Sequence, residues 1–360
     1  MIPVTQPFLP SRKTVEKYLD GIYERKWLTN NGPLAQELKA RLEEYLGVKN
    51  LLLVSNGTLA LQVAYQALGI KNEAVTTPFS FVATASSLKW EGITPRFADI
   101  DPATFNLCPR QAELAMTEKT SVIVPVHVYG NPCNLEAFAE LGKRHQVKVI
   151  YDAAHAFGVK YKGQSVLNWG DASTLSFHAT KVFHTVEGGA IVFKDADAYE
   201  RAAEIINFGL RNGTEIASLG INAKMSEVHA AFGLSVLDEV DNILEKRTAI
   251  YHHYVDSLKH FVNLPTWHSE ASFNGAYIPI LLESEQVLLR LVDVLKEHGI
   301  MARRYFYPSL NTVHALAESP EMSIAEDASR RVLCLPVFFD LELQSIEYVV
   351  ELVKSVVNHS

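Results

Sequence analysis

Residues 174–189 read Thr-Leu-Ser-Phe-His-Ala-Thr-Lys-Val-Phe-His-Thr-Val-Glu-Gly-Gly. An apolar, strand-like run gives way to small and polar residues, delivers one lysine, Lys181, and closes in a Glu-Gly-Gly turn before a second strand over 190–193. A lysine held between buried strands has to lower its pKa, find a counter-charge, or give up its charge by condensing with a carbonyl. The last route is Schiff-base chemistry, and pyridoxal phosphate (PLP) is the commonest carbonyl cofactor for it. A lysine beside a turn is also the ordinary solvated kind, so the rest of the chain has to decide.

Outward from that stretch the pattern is regular. Strand-like runs at 51–54, 74–77, 94–98, 121–127 and 147–151 alternate with helical spacing at 59–68, 81–91, 111–116 and 135–145, after helices at 15–25 and 34–46. Leu51-Leu52-Leu53-Val54 is a short continuous apolar run of the kind buried on both faces of a sheet. Such alternation predicts an α/β fold whose ligands bind at the carboxyl ends of the strands. Beyond residue 224 a long helical region, 226–259, precedes mixed elements at 276–281, 284–298, 331–335 and 343–357. The expected organisation is a large domain with a mostly parallel sheet flanked by helices, residues 1–240, and a smaller C-terminal α+β domain, residues 241–360.

Composition narrows the function. At 360 residues, 48% hydrophobic and 21% charged, the chain can bury a sizeable core. A net charge of -8 with no run of lysines and arginines argues against nucleic acid as a partner. Cys108, Cys133 and Cys334 are odd in number and scattered, so reduced thiols are expected. The start lacks a signal-peptide pattern and no apolar run approaches membrane-spanning length, so no membrane association and a cytoplasmic location are expected.

Several residues offer chemistry. Ser55-Asn56-Gly57-Thr58 joins a strand to a helix, where free N–H groups and the positive dipole end suit a phosphate; an ordinary N-cap would use the same residues. Asp152 lies where the strand 147–151 emerges, placed to keep a pyridine nitrogen protonated, or simply to cap a helix. His155, one helical turn further, would reach a phenolic oxygen on the same ring. Phe81 begins a helix after a strand end, where its ring can stack on a cofactor or only pack. Asp-x-x-His also occurs in metal sites, with His127, His178 and His184 as further candidates. None has the close His or paired-Cys spacing of a strong signal, so no metal is expected.

The ordered set Ser-Asn-Gly-Thr (55–58), Pro-Phe-Ser-Phe-Val-Ala-Thr (78–84), Phe-Ala-Asp-Ile-Asp-Pro-Ala-Thr-Phe-Asn-Leu (97–107), Val-His-Val-Tyr-Gly-Asn-Pro-Cys (126–133), Asp-Ala-Ala-His-Ala-Phe-Gly (152–158), Ser-Phe-His-Ala-Thr-Lys (176–181) and Glu-Gly-Gly (187–189) resembles the DegT-type sugar-nucleotide aminotransferases, of the fold-type-I PLP class. The resemblance implies that Lys181 is the Schiff-base and proton-moving lysine, that Asp152 pairs with the pyridinium, that His155 lies near the phenolic oxygen and that Phe81 stacks on the ring. It further implies that Gly57, Thr58 and Ser176 hold the phosphate, that Asn222 reaches the phosphate of the other subunit in a homodimer with shared sites, and that glutamate and a nucleotide sugar are the substrates. Family members often place tyrosines around that asparagine and an arginine after them, where this chain has Ile221, Ala223 and Lys224. Relatives that aminate C4 resemble Phe-His-Ala-x-Lys with Glu-Gly-Gly, and those acting at C3 resemble Phe-Tyr-Pro-x-Lys with Gly-Asp. His178 and Glu187 therefore imply the C4 group, for which a dTDP-4-keto-6-deoxyglucose substrate is expected, with a GDP- or UDP-linked 4-keto sugar, or C3 amination of a dTDP-3-keto-6-deoxyhexose, as the alternatives. A non-catalytic relative that binds PLP or a nucleotide sugar is the other class, and retention of Lys181, Asp152 and His155 speaks against it.

Overall fold

The computed structural model describes residues 1–316 and 320–358. Its strands are β1 (Leu51–Val54), β2 (Glu73–Thr76), β3 (Thr94–Phe97), β4 (Thr120–Val124), β5 (Lys148–Asp152), β6 (Lys160–Tyr161), β7 (Gln164–Ser165), β8 (Ala172–Ser176) and β9 (Gly189–Phe193). Four more follow: β10 (Leu210–Arg211), β11 (Glu215–Ile216), β12 (Ile278–Leu281) and β13 (Val332–Leu335). Seven of them form one sheet in the order β1-β9-β8-β5-β4-β2-β3. The β5 to β8, β4 to β5, β2 to β4 and β2 to β3 pairings are parallel, while β9 runs antiparallel to both β8 and β1. The expected α/β fold with a mostly parallel sheet is what forms. β9 is the exception because the connection from β8 contains no crossover helix, and a short return has to be antiparallel. That return is the stretch carrying Lys181.

Helices cover both faces, so the strands are largely buried: every residue of the edge strand β1 and of its neighbour β9 is buried. The helices Pro33–Leu46 and Glu227–Leu237 close one face through Leu38, Leu42 and Leu234, and Gly57–Ala67 with Ala196–Ile205 closes the other through Leu61, Ala64 and Ala202. A separate core gathers β12, β13 and the helices Glu285–Glu297 and Leu343–Val357 through Ile280, Leu291, Leu333 and Val353. Ile2 joins it, its N–H donating to Gly299 O at 2.8 Å, while Phe8 meets Phe339 edge to face at 4.9 Å against the large core.

The helical region expected over 226–259 is two helices, Glu227–Leu237 and Val240–Leu258. Asp238 at the break accepts from Arg41 Nη2 at 2.8 Å and from the Tyr18 hydroxyl at 3.1 Å, which ties it to the first helices of the chain. The second helix then carries Ile243 into the large core and Ile250, Tyr254 and Leu258 into the C-terminal one. No helix follows Asp152, where a turn over 154–155 takes its place, and the helix expected from Phe81 begins at Ala83. No helix of the described residues is long and apolar enough to cross a membrane.

Candidate active site

Strand β8 ends at Ser176, and the chain turns back on itself before β9. Phe177 N–H donates to Gly188 O at 2.8 Å, and Thr185 N–H donates to Phe177 O at 2.9 Å, closing the base of the loop. Phe183 stacks on Phe157 at 4.6 Å and meets Phe177 edge to face at 4.9 Å, so an aromatic plug draws the far side of the loop into the core. Burying one such ring contributes about 1.5–3 kcal/mol. Gly189 is required by contact: a Cβ there would lie 2.7 Å from the Asn56 carbonyl carbon. Lys181, held by its N–H to His178 O at 2.9 Å, is thereby directed at the cavity formed by the neighbouring strand ends.

That cavity has a volume of about 310 Å³ and is lined by Gly57, Thr58, Phe81, Asp152, His155, Ser176 and Lys181. At one end, Asn56 caps the helix Gly57–Ala67 by accepting from Leu59 N–H at 2.8 Å, which leaves the N–H groups of Gly57 and Thr58 at the helix N-terminus for an anion. A Cβ on Gly57 would lie 2.9 Å from Ser176 Cβ, so glycine lets the turn close against β8. Phe81 is 52% exposed, a ring at the cavity rim rather than core packing. Asn222 is not in this lining. It is exposed, bridges to Asn207, and precedes Ala223, whose carbonyl accepts from Ser55 N–H at 2.8 Å.

The electrostatics pair a buried acid with a buried base. Asp152, the last residue of β5, accepts from the Thr84 hydroxyl at 2.8 Å and from Ala154 N–H at 3.1 Å. Burial raises its pKa, opposed by those two donors and by the charge of Lys181. Burial also lowers Lys181 from 10.5 to about 8, with Asp152 pulling the other way. His155 is pushed well below the usual histidine range by burial and then by Lys181, so the ring is neutral. Its Nδ1 is buried without a hydrogen-bond partner, while its ring stacks on Phe306 at 5.7 Å and meets Tyr277 at 4.8 Å.

The facing wall comes from Tyr277, Arg303, Tyr305 and Phe306. Arg303 is exposed and lies over the Tyr305 ring at 4.5 Å. Thr84 and Tyr277 carried no signal in isolation. His178 and Glu187 also line the cavity, with Nε2 to Oε1 at 3.7 Å. The other histidines are structural: His127 stacks on Tyr151 at 4.8 Å and is held neutral by burial at a pKa of about 3, and His184 bonds Phe8 O at 2.8 Å. Among the described residues no group of His, Cys, Asp and Glu is placed to hold a metal ion.

An amine lowered to about 8, a buried acid in the same cavity and an anion cradle beside it suit chemistry on a phosphorylated carbonyl compound, with Lys181 as nucleophile and base. The chain is 45% identical to a dTDP-4-amino-4,6-dideoxy-D-glucose transaminase of Shigella dysenteriae, covering 98% of each chain, and 39% identical to a protein of the same name from Escherichia coli, covering 98% and 97%. It superposes on a solved structure of DesI in the presence of its TDP-sugar product with a TM-score of 0.93 at 32% identity, covering 98% of this chain and 92% of that one. Residues 11–354 match one family along nearly the whole length, and the chain belongs to the DegT/DnrJ/EryC1/StrS aminotransferase family.

Proposed function

We propose that the cavity binds PLP and that the protein transfers an amino group from L-glutamate to C4 of a nucleotide-linked 4-keto-6-deoxy sugar, turning dTDP-4-dehydro-6-deoxy-D-glucose into dTDP-4-amino-4,6-dideoxy-D-glucose in the cytoplasm. The observation that carries the reading is the meeting of Lys181, lowered to about 8, with the buried Asp152 in one cavity. The names of the Shigella and Escherichia relatives support the sugar and the nucleotide.

The residues fit the cofactor. Asp152 is buried with no ion-paired cation among the described residues, His155 has an orphaned Nδ1, and a Cβ at Gly57 would close the anion cradle against Ser176. PLP, once bound, supplies an electron sink for the carbon that loses or gains a proton. Asp152 would hold a proton at the ring nitrogen by its charge, and neutral His155 would serve the phenolic oxygen. The Gly57 and Thr58 N–H groups and the Ser176 hydroxyl would hold the phosphate, and Phe81 would cover the ring. Lys181 would hold the cofactor through Nζ and, as acid and base, would move the proton between the substrate carbon and the cofactor. Asn222, outside its own cavity, acts on the phosphate in a second subunit, which makes the protein an isologous dimer. Mixing Lys181→Ala chains with Asn222→Ala chains then regains activity in hybrid dimers.

The test is regiochemical. Incubation with PLP, glutamate and either the 4-keto or the 3-keto dTDP-6-deoxy sugar, followed by NMR location of the new C–N bond, is expected to give nitrogen at C4 only. Nitrogen at C3 alone would overturn the assignment.

A further inference from the structure

We infer that Thr84 is a positioning residue for Asp152, and that Ser80 behind it completes a one-way hydrogen-bond chain keeping the Asp152 carboxylate ionised and turned toward the cavity. The inference rests on the proposed pairing of Asp152 with a cofactor ring nitrogen. Thr84 Oγ1 lies 2.8 Å from Asp152 Oδ2 and 2.8 Å from Ser80 Oγ, and all three residues are buried. An ionised carboxylate only accepts, so the single hydroxyl proton of Thr84 is committed to Asp152. Ser80 must then donate to Thr84, because Thr84 has no second proton to give. Each donation polarises the next, and the direction is fixed from Ser80 through Thr84 to Asp152. Ala154 N–H holds Oδ1, so a donor on each oxygen sets the roll of the carboxyl group. The chain also ties two strand ends together, since Ser80 and Thr84 follow β2 while Asp152 ends β5. Burial by itself favours the neutral acid, and these donors oppose it.

Thr84→Val keeps the shape of the side chain and removes the proton. The other titratable groups facing Asp152 are Tyr65, Cys133, His127, His155 and Lys181. Burial keeps the first four uncharged through the neutral range, and Lys181 changes charge only near 8. Below that pH, Asp152 is the group that responds. Its folded pKa is raised above the unfolded value, so the folded state binds more protons and stability falls as pH rises through the folded pKa. Losing the Thr84 proton raises that pKa further.

Melting temperatures of the cofactor-free, full-length wild type and Thr84→Val are therefore expected to lie close at low pH and to separate by about 2–4 °C toward pH 7. Thr84→Ser is expected to follow the wild type, and Ser80→Ala to show the same separation at smaller amplitude. With PLP bound, Thr84→Val should shift the pH titration of the cofactor absorbance and lower kcat about tenfold, with Thr84→Ser restoring both. A melting offset equal at every pH would mean that only packing was lost, and would overturn the inference, as would a Thr84→Ser variant as impaired as Thr84→Val. The cofactor-free melting series does not depend on the proposed activity, whereas normal rates in Asp152→Asn would remove the role assigned to Asp152 and leave the melting result standing.

Discussion

One side of the cavity is made where strands stop. Gly57 and Thr58 follow β1, Asp152 ends β5, Ser176 ends β8, and Lys181 lies in the return to β9. The other side is made of Tyr277, Arg303, Tyr305 and Phe306, which come from the segments around β12 and the loop before residue 310. The first side is placed by the sheet ladder, so its residues stand a fixed step from backbone hydrogen bonds. The second is placed by ring packing: Phe306 stacks on Tyr129 at 5.8 Å and on His155 at 5.7 Å, and Tyr305 meets Tyr277 at 5.4 Å. A ladder holds reacting groups within the tolerance that proton transfer demands, and a packed loop wall can change its contour with the substrate. The strand-end side should carry the chemistry and the loop side the recognition.

Substitutions can break that division. Lys181→Ala is expected to have the largest effect, a loss in turnover of about a thousandfold or more, with the fold retained by circular dichroism. Asp152→Asn should follow, with kcat lower by about a hundredfold and PLP still bound, since the phosphate is held elsewhere. On the opposite wall, Arg303→Ala should raise KM for the nucleotide sugar about tenfold while kcat stays within about threefold. A larger fall in kcat there would mean that the loop side takes part in the chemistry.

The smallest effect is in stability. Lys181 has a folded pKa of about 8 against 10.5 for the free side chain, so between those values the unfolded chain binds more protons than the folded one and stability rises with pH. Below 8 the folded protein carries the cost of a buried ammonium. Cofactor-free Lys181→Met should therefore melt a few degrees above the wild type at pH 7, and lose that advantage between about pH 8 and 10.5. An advantage independent of pH would show that Lys181 is not shifted.

The same contrast explains what was legible in the chain. Lys181, Asp152, Gly57, Thr58 and Ser176 sit in short motifs at the ends of apolar runs, and the run itself announces the position. Thr84 looks like any polar residue in a first helical turn until Asp152, 68 residues away, is set beside it. Tyr277 belongs to an apolar run, and it lines the cavity on a segment that Asn274 ties down by donating to His155 O at 2.8 Å and Phe157 O at 3.0 Å. The break at Asp238 depends on Arg41 and Tyr18, 197 and 220 residues distant, which helical spacing cannot register. Asn222 was singled out by resemblance alone, and its own chain leaves it outside the cavity.

The assignment of the chemistry to the strand-end side is tested most directly by loading the protein with PLP, reducing it with borohydride and mapping the modified peptide. The account predicts one modified lysine, Lys181, with the label and the absorbance of the bound cofactor both lost in Lys181→Ala. A label on any other lysine, or an intact, PLP-loaded protein that traps no label at all, would contradict it.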